Sequence, residues 1–338
     1  MQSAIDKMDD KVGRAAIIEN GSPLFTGGTA SGESQIRRWI LEQDFLEAII
    51  ALPTDLFYNT GIATYVWILS KNKRPERKGY VQLIDATSIF HKLRKALGNK
   101  KNEISPEDRS AITKLYADFA ENELCKIYPN TEFIYREYTV MQPLQRSYAV
   151  TEERIHAMLS KGSLSSLYDP AKVAELENSE DELTGKELKK LENYKNNAPV
   201  YEAIIELLRC ADDDKVYLSP AEFMPVLTKI LSTATTDKKL LDKIADGLSV
   251  MDKSAEIQRD KKGNIIYDKE TKDTEIVKFD ESIEDYMARE VLPHVPDAQW
   301  FFEEDLSKKS PIVKTGAEIP FTRYFYKYQQ PKPSEELE

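Results

Sequence analysis

Two short apolar runs, residues 45–52 and 62–69, stand either side of a stretch with turn chemistry. Each is rich in branched and aromatic side chains and bounded by Pro, Asn or Gly. Runs this short with such boundaries predict two buried strands rather than core helices. Between them, Leu-Pro-Thr-Asp-Leu-Phe-Tyr-Asn-Thr-Gly at 52–61 places adjacent aromatics, Phe57 and Tyr58, ahead of Asn59, Thr60 and Gly61. Two readings stand: a loop anchored by burying one ring, or a flat apolar surface that meets a flat ligand.

The surrounding pattern alternates strands and helices. Met1, Ile5 and Met8 share helical spacing. Residues 14–19 read as a strand, apolar at its centre and expected to be buried on both faces as in a parallel sheet. A loop of Gly, Ser and Thr over 20–32 leads to a helix at 33–42 that gathers Ile36, Trp39 and Ile40, and 80–85 is a further strand. This order predicts an α/β sandwich. Ser105 and Pro106 open a helix running to about residue 121, with Ser105 as N-cap and Pro106 in the first helical position. Residues 131–140 alternate through Phe133, Tyr135, Tyr138 and Val140, a strand of a separate small element. From Thr151 the reading is mainly helical, with segments 151–161, 167–178, 183–194, 198–211, 219–232 and 237–246. A hairpin is expected around Lys262-Gly263-Asn264, and a helix over 282–291, ended by Pro293 and Pro296. Residues 299–338 read as irregular, with a basic aromatic cluster from Arg323 and a mobile tail at 331–338.

A length of 338 residues suggests about two domains at roughly 150 residues each. No apolar run reaches the ~18 residues of a membrane span. Cys125 and Cys210 lie far apart and fit no metal or redox spacing, so a reduced, cytoplasmic chain is expected. His91, His156 and His294 share no ligand spacing, and no metal is assigned. The net charge is −11, unevenly spread. Residues 1–150 hold 20 Lys and Arg against 19 Asp and Glu, which leaves a balance of −12 for the remainder. Within 71–101, ten Lys and Arg face only Glu76 and Asp85. Lys71, Lys73, Arg74, Arg77 and Lys78 follow the second apolar strand; Lys92, Arg94, Lys95, Lys100 and Lys101 follow the third. Charge beyond about 8–10 Å is screened at physiological salt, so local basic density is what a phosphate backbone would feel. A solvated loop is the alternative.

Gly27-Gly-Thr-Ala-Ser-Gly-Glu-Ser nearly matches a phosphate-binding loop, but Glu33 stands where that loop needs Lys, and a carboxylate repels phosphate. It reads as a loop ending in a capped helix. Asp85, at a strand end before Thr87 and Ser88, stands where a catalytic carboxylate could, but reads as the N-cap of the next helix. No Ser, Cys or His forms a plausible nucleophilic triad.

Residues 13–25 (Gly-Arg-Ala-Ala-Ile-Ile-Glu-Asn-Gly-Ser-Pro-Leu-Phe), 35–40 (Gln-Ile-Arg-Arg-Trp-Ile) and 52–71 resemble the modification subunit of type I restriction-modification systems, an adenine-specific DNA methyltransferase using S-adenosylmethionine. The resemblance continues at 82–87 and 97–101, and returns at 289–298 and 318–328. It implies the C-terminal part of a Rossmann-like methyltransferase sheet within 1–150, its last two strands antiparallel with their loop at the active-site edge. Residues 151–338 would be a mainly helical region serving subunit assembly. By the resemblance, Phe57, or Tyr58 one residue on, packs against the flipped target base. Lys71, Lys73, Arg74, Arg77, Lys78, Lys92, Arg94 and Lys95 would lie near the DNA backbone. The implied partners are DNA, a specificity subunit, a restriction subunit and a second modification subunit. The family's glycine loop for the methyl donor and its Asn-Pro-Pro-aromatic tetrapeptide do not occur here; no Asn-Pro or Pro-Pro dipeptide exists in the chain. The chain therefore reads as the C-terminal portion of such a subunit, without catalytic or cofactor-binding residues, S-adenosylmethionine being held in the complete subunit. The alternative is a non-catalytic assembly module that docks on a specificity subunit.

Overall fold

The computed structural model describes residues 1–179, 183–211 and 213–327. The chain divides into two compact units, one formed by Met1–Val140 with Asp273–Glu338 and the other by Met141–Lys272.

The first unit opens with α1 (Gln2–Lys7), β1 (Arg14–Asn20), α2 (Ser22–Phe25), α3 (Gly32–Glu42), β2 (Leu46–Leu52) and β3 (Thr64–Ser70). There follow β4 (Tyr80–Asp85), β5 (His91–Leu97), β6 (Lys100–Glu103), α4 (Pro106–Asp118), β7 (Cys125–Pro129) and β8 (Ile134–Pro143). Five strands make one sheet in the order β1-β3-β2-β4-β7. The two apolar runs are β2 and β3, antiparallel with Leu52 opposite Thr64, while β4 lies parallel to β2. Every residue of β2 is buried because both sheet faces are covered. On one face Ile49 and Trp67 pack with Ile5, Leu24, Ile40 and Leu41. On the other, Ile50, Leu52 and Ile84 meet Ile112 of α4. Burying each such side chain contributes about 1.5–3 kcal/mol. Ser31 caps α3, and Ser105 with Asp108 forms a full capping box on α4.

Strand β1 departs from the expected parallel, doubly buried strand. It runs antiparallel to β3 and alternates exposed and half-buried residues, with Ile18 54% exposed. Among the described residues it has a neighbour along one edge only, so its apolar centre is not enclosed.

Because β3 and β4 flank β2, residues 71–79 must cross the end where β2 begins. Asp44, held at φ 56, anchors that crossing: its carboxylate pairs with Lys73 and accepts the Gly79 amide at 3.0 Å.

In the second unit, β9 (Arg146–Val150) precedes α5 (Glu152–Ser160), α6 (Pro170–Glu177), α7 (Gly185–Cys210), β10 (Asp213–Tyr217), α8 (Pro220–Ile230), α9 (Lys238–Gly247) and β11 (Ser249–Met251). Tyr148, Ile155, Met158, Leu208, Phe223, Leu227 and Ile244 form its core. The helical segments appear as expected with one exception. The expected segments 183–194 and 198–211 merge into one helix, Gly185–Cys210, that passes through Pro199. Proline there removes one helical hydrogen bond; buried Tyr194 before it and Ile204 and Leu208 after it keep both halves in one packed rod. The turn around Gly263 is present, with the Asp260 amide donating to the Asn264 carbonyl at 2.9 Å.

The chain then forms β12 (Tyr267–Lys278), α10 (Ile283–Tyr286) running into a π turn at Met287–Val291, β13 (Gln299–Phe301), β14 (Thr315–Ala317) and α11 (Phe321–Phe325). Strands β12, β8 and β13 make a sheet, with β14 beside β8. The division into units falls after Val140, not at residue 150, and residues 299–327, expected to be irregular, carry β13, β14 and α11. Ala317, Ile319 and Phe321 belong to the core under β2 and β3, and Arg37 of α3 donates to the Ala317 carbonyl at 2.7 Å. Apolar burial returns these residues to the first unit. The expected mobile tail at 331–338 lies outside the described residues. Among the described residues no helix is long and apolar enough to cross a membrane, and no cluster of His, Cys, Asp and Glu could hold a metal ion.

Candidate nucleic-acid interface

The loop between β2 and β3 lies at one end of the sheet, together with the end of β4, since Ala51 stands opposite Asp85 and the Ala86 amide donates to the Ala51 carbonyl. Within the loop, Phe57 bridges to Thr60 and is half-buried, whereas Tyr58 is 64% exposed. Of the two aromatics, Tyr58 is the more exposed. Leu56 packs against the apolar cluster of Ile50, Leu52 and Ile84, which fixes the base of the loop.

The loop is braced by β5 and β6, a two-stranded antiparallel hairpin absent from the sequence reading. The Asp55 carbonyl accepts the amides of Lys101 at 2.9 Å and Asn102 at 3.1 Å, and the Tyr58 carbonyl accepts the Asn99 amide at 2.9 Å. Buried Asn102 donates its Nδ2 to the Thr54 carbonyl at 2.9 Å. The Lys100 ammonium stands 5.4 Å from the Tyr58 ring centroid, within cation–π range. Loop and hairpin are therefore one hydrogen-bonded body. Gly98 sits at the contact with φ +63, and a Cβ there would lie 2.6 Å from the Tyr58 carbonyl oxygen. Replacement by Ala is strained both ways: the left-handed backbone costs about 1 kcal/mol or more, and the clash is with backbone. Gly98→Ala is expected to loosen the hairpin from the loop; hydrogen exchange at the Asn99 and Lys101 amides should rise by an order of magnitude or more while that of β2 stays unchanged. Unaltered exchange at those amides would remove the bracing role.

The hairpin carries the second basic group. Lys92, Arg94 and Lys95 are exposed and have no carboxylate partner among the described residues; Lys101 reaches Asp55 at 3.6 Å. His91 pairs with Asp108 at 2.6 Å, and that hydrogen bond raises its pKa from the ordinary value. The hairpin base is thus tied to the capping box of α4.

The first basic group lies elsewhere. Residues 71–78 follow the far end of β3, about 20 Å from the aromatic loop for a seven-residue strand. Lys71 binds Asp10 at 2.6 Å and the Met8 carbonyl at 2.8 Å. The Lys73 side chain is 1% exposed, held by Asp44 and the Tyr80 carbonyl, and burial lowers its pKa. Arg77 lies between the Tyr116 and Phe119 rings, 4.4 Å from each centroid. It donates to Gln82 Oε1 at 2.8 Å and to the Tyr116 carbonyl, and stands 3.5 Å from Glu47. Buried Lys73 and Arg77 secure the β3–β4 crossing, and Lys71 pairs with exposed Asp10, so these three cations expected near the DNA backbone are engaged within the chain. Arg74 and Lys78 are exposed at that far end. Asp85 accepts the Thr87 amide at 3.0 Å and hydroxyl at 2.6 Å, closing a turn rather than capping a helix.

Residues 1–154 match the N-6 DNA Methylase family model. The type I restriction enzyme MjaVIII methylase subunit of Methanocaldococcus jannaschii is 30% identical over 154 residues, which cover 44% of this chain and 26% of that protein. The MjaVII methylase subunit of the same organism is 36% identical over 110 residues, covering 32% and 18%. The HindI methylase subunit of Haemophilus influenzae is 40% identical over 75 residues, covering 22% and 16%. A crystal structure of the type I restriction-modification methyltransferase subunit from Streptococcus thermophilus aligns at 28% identity and TM-score 0.31, covering 36% of this chain and 24% of that one. The matched segments span about a quarter or less of the curated relatives' length. The resemblance read from residues 13–25, 35–40, 52–71, 82–87 and 97–101 falls inside the matched region; the stretches at 289–298 and 318–328 fall outside the family model.

Proposed function

We propose that this chain is part of an adenine-specific DNA methyltransferase subunit of a type I restriction-modification system, and that the rim formed by residues 52–61 and the β5–β6 hairpin faces DNA. The observation that carries the reading is the hydrogen-bonded union of an exposed aromatic and a hairpin whose Lys92, Arg94 and Lys95 have no carboxylate partner among the described residues, inside the segment that matches N-6 DNA methylases. An adenine within a duplex is inaccessible, so the reaction requires flipping it out at a cost of a few kcal/mol. Stacking on Tyr58 recovers about 1–3 kcal/mol. Lys92, Arg94 and Lys95 hold the adjacent backbone, with Lys100 and Lys101 beside them. The exposed Arg74 and Lys78, at the other end of the sheet, lie outside this set. The β1–β3–β2 order is read as the end of a Rossmann-like sheet.

The residues present do not fit the methyl donor. The cavity nearest the end of β1, of about 380 Å³, is lined by Glu19, Glu33, Arg37 and Trp67. The donor carries a carboxylate beside its cationic sulfonium and ammonium, and Arg37 is the side-chain cation in this lining that would have to pair with that carboxylate. Arg37 is committed to the carbonyls of Ala317, Pro23 and Thr26. The donor and the nitrogen-positioning tetrapeptide are accordingly assigned to residues outside this sequence, and the chain alone is expected to be inactive. A specificity subunit would read the DNA sequence, with a second modification subunit and a restriction subunit completing the assembly.

Reconstitution tests this. Mixed with a polypeptide carrying the donor loop and the Asn-Pro-Pro-aromatic motif, and with the specificity subunit, the chain is expected to support methyl transfer to adenine. Tyr58→Ala should then lower kcat/KM by about 10- to 100-fold, the equivalent of one lost base stack, with donor affinity unchanged. Equal loss of donor affinity would place the Tyr58 ring in packing rather than base recognition. Tight S-adenosylmethionine binding by the isolated chain would overturn the division of labour.

A further inference from the structure

The tip of the β5–β6 hairpin carries an apolar side chain that no structural role explains. Leu97 is 49% exposed and belongs to none of the apolar clusters of the described residues. Arg94 and Lys95 precede it, and Gly98, Asn99 and Lys100 turn the chain back. A single half-exposed leucine is ordinary in itself; what distinguishes Leu97 is its place at a hairpin tip among cations, beside an exposed aromatic ring. Its position is fixed: the next residue, Gly98, lies against the Tyr58 carbonyl, and the Asn99 amide bonds to that oxygen at 2.9 Å. Leu97 therefore keeps a set relation to the exposed Tyr58 ring.

A base that leaves the stack leaves a gap walled by the apolar faces of its neighbours. Proteins that kink or open a duplex commonly insert an apolar side chain between base steps. On the reading that this rim faces DNA, we propose that Leu97 is the wedge that enters the duplex at the vacated position, while Tyr58 receives the extruded base. The two side chains stand on one body, so stacking and gap-filling occur together. The cations beside Leu97 hold the backbone on either side of the opened step.

The test uses the full 338-residue chain and two fluorescein-labelled duplexes of one sequence, fully paired or with a single abasic site that leaves a ready-made gap. Binding is read by anisotropy at low salt. The native chain is expected to prefer the abasic duplex by roughly tenfold, from burial of one leucine side chain. Leu97→Ala should bring the ratio of the two affinities to about one, and Leu97→Met should keep most of it. Persistence of the preference in Leu97→Ala would overturn the proposal. If Tyr58→Ala alone abolished it, the ring would be the gap-filler instead. Binding by the native chain with no preference would overturn the wedge while leaving the DNA-facing rim intact. Absence of binding to either duplex would overturn the rim assignment and the wedge with it.

Discussion

Replacing Arg77 with alanine is expected to destabilise the first unit by about 3 kcal/mol, since it removes buried hydrogen bonds made by a charged group, worth about 1.5–3 kcal/mol each. The substitution removes the guanidinium 3.5 Å from Glu47, whose side chain is 4% exposed and which keeps Arg14 at 3.1 Å and the Tyr116 hydroxyl at 2.6 Å. It also takes the donor from Gln82 Oε1 and removes the cation held between Tyr116 and Phe119. A loss of that size is a large share of the ~5–15 kcal/mol that holds a typical domain. Urea denaturation followed by circular dichroism reads it directly. Lys78→Ala, next door but exposed, should stay within about 0.5 kcal/mol. If the two variants unfolded at the same urea concentration, the network would be ornamental and Arg77 would return to the list of possible phosphate contacts. The same network sets an alkaline limit. Burial, reinforced by the hydrogen bond to Glu47 at 2.6 Å, pushes the Tyr116 pKa up to about 12. Its folded value thus exceeds the ordinary value of 10.0. The contribution of Tyr116 to stability is then complete below pH 10 and is lost as pH rises from there through about 12. Tyr116→Phe should flatten that part of the stability profile.

The second large effect concerns the hairpin. Changing Lys92, Arg94 and Lys95 together to Gln removes three exposed cations with no carboxylate partner among the described residues. Each phosphate contact contributes about 0.9 to the slope of log affinity against log salt, so three contacts account for roughly 2.7. DNA affinity near physiological salt should fall by about one to two orders of magnitude, equally for all sequences, with folding unaffected. Changing Lys186, Lys189 and Lys190 of α7 serves as the control, with expected losses below about twofold. Matching slopes for the two triple variants would mean that the hairpin does not meet the phosphate backbone.

Comparison of the two basic groups shows what was legible in the chain. The strands β2 and β3, the capped helices α3 and α4 and most helices of the second unit follow from local periodicity and end signals. Such signals act over a few residues and survive in any context. The hairpin of β5 and β6 was missed because its residues are charged on both sides and give no apolar alternation, although Leu97, Gly98 and Asn99 supply a turn. Strand β12 escaped for the same reason: Tyr-Asp-Lys-Glu-Thr-Lys-Asp-Thr-Glu-Ile-Val-Lys has no period of two.

By itself, the sequence determined that an aromatic loop joins two buried strands, that basic charge is concentrated over 71–101, and that the Asn-Pro-Pro-aromatic motif is missing. Only the tertiary structure decided which cations stand beside the aromatics. Placing β4 next to β2 sends residues 71–79 across the opposite end of the sheet, where Lys73 and Arg77 are consumed by Asp44 and Glu47. It sends residues 91–103 back to the aromatic end. Tyr58 rather than Phe57 became the exposed ring because the Phe57–Thr60 bridge turns the chain between them. Sequence distance does not register either event, because strand order and a single backbone bridge set which end of the sheet each residue reaches.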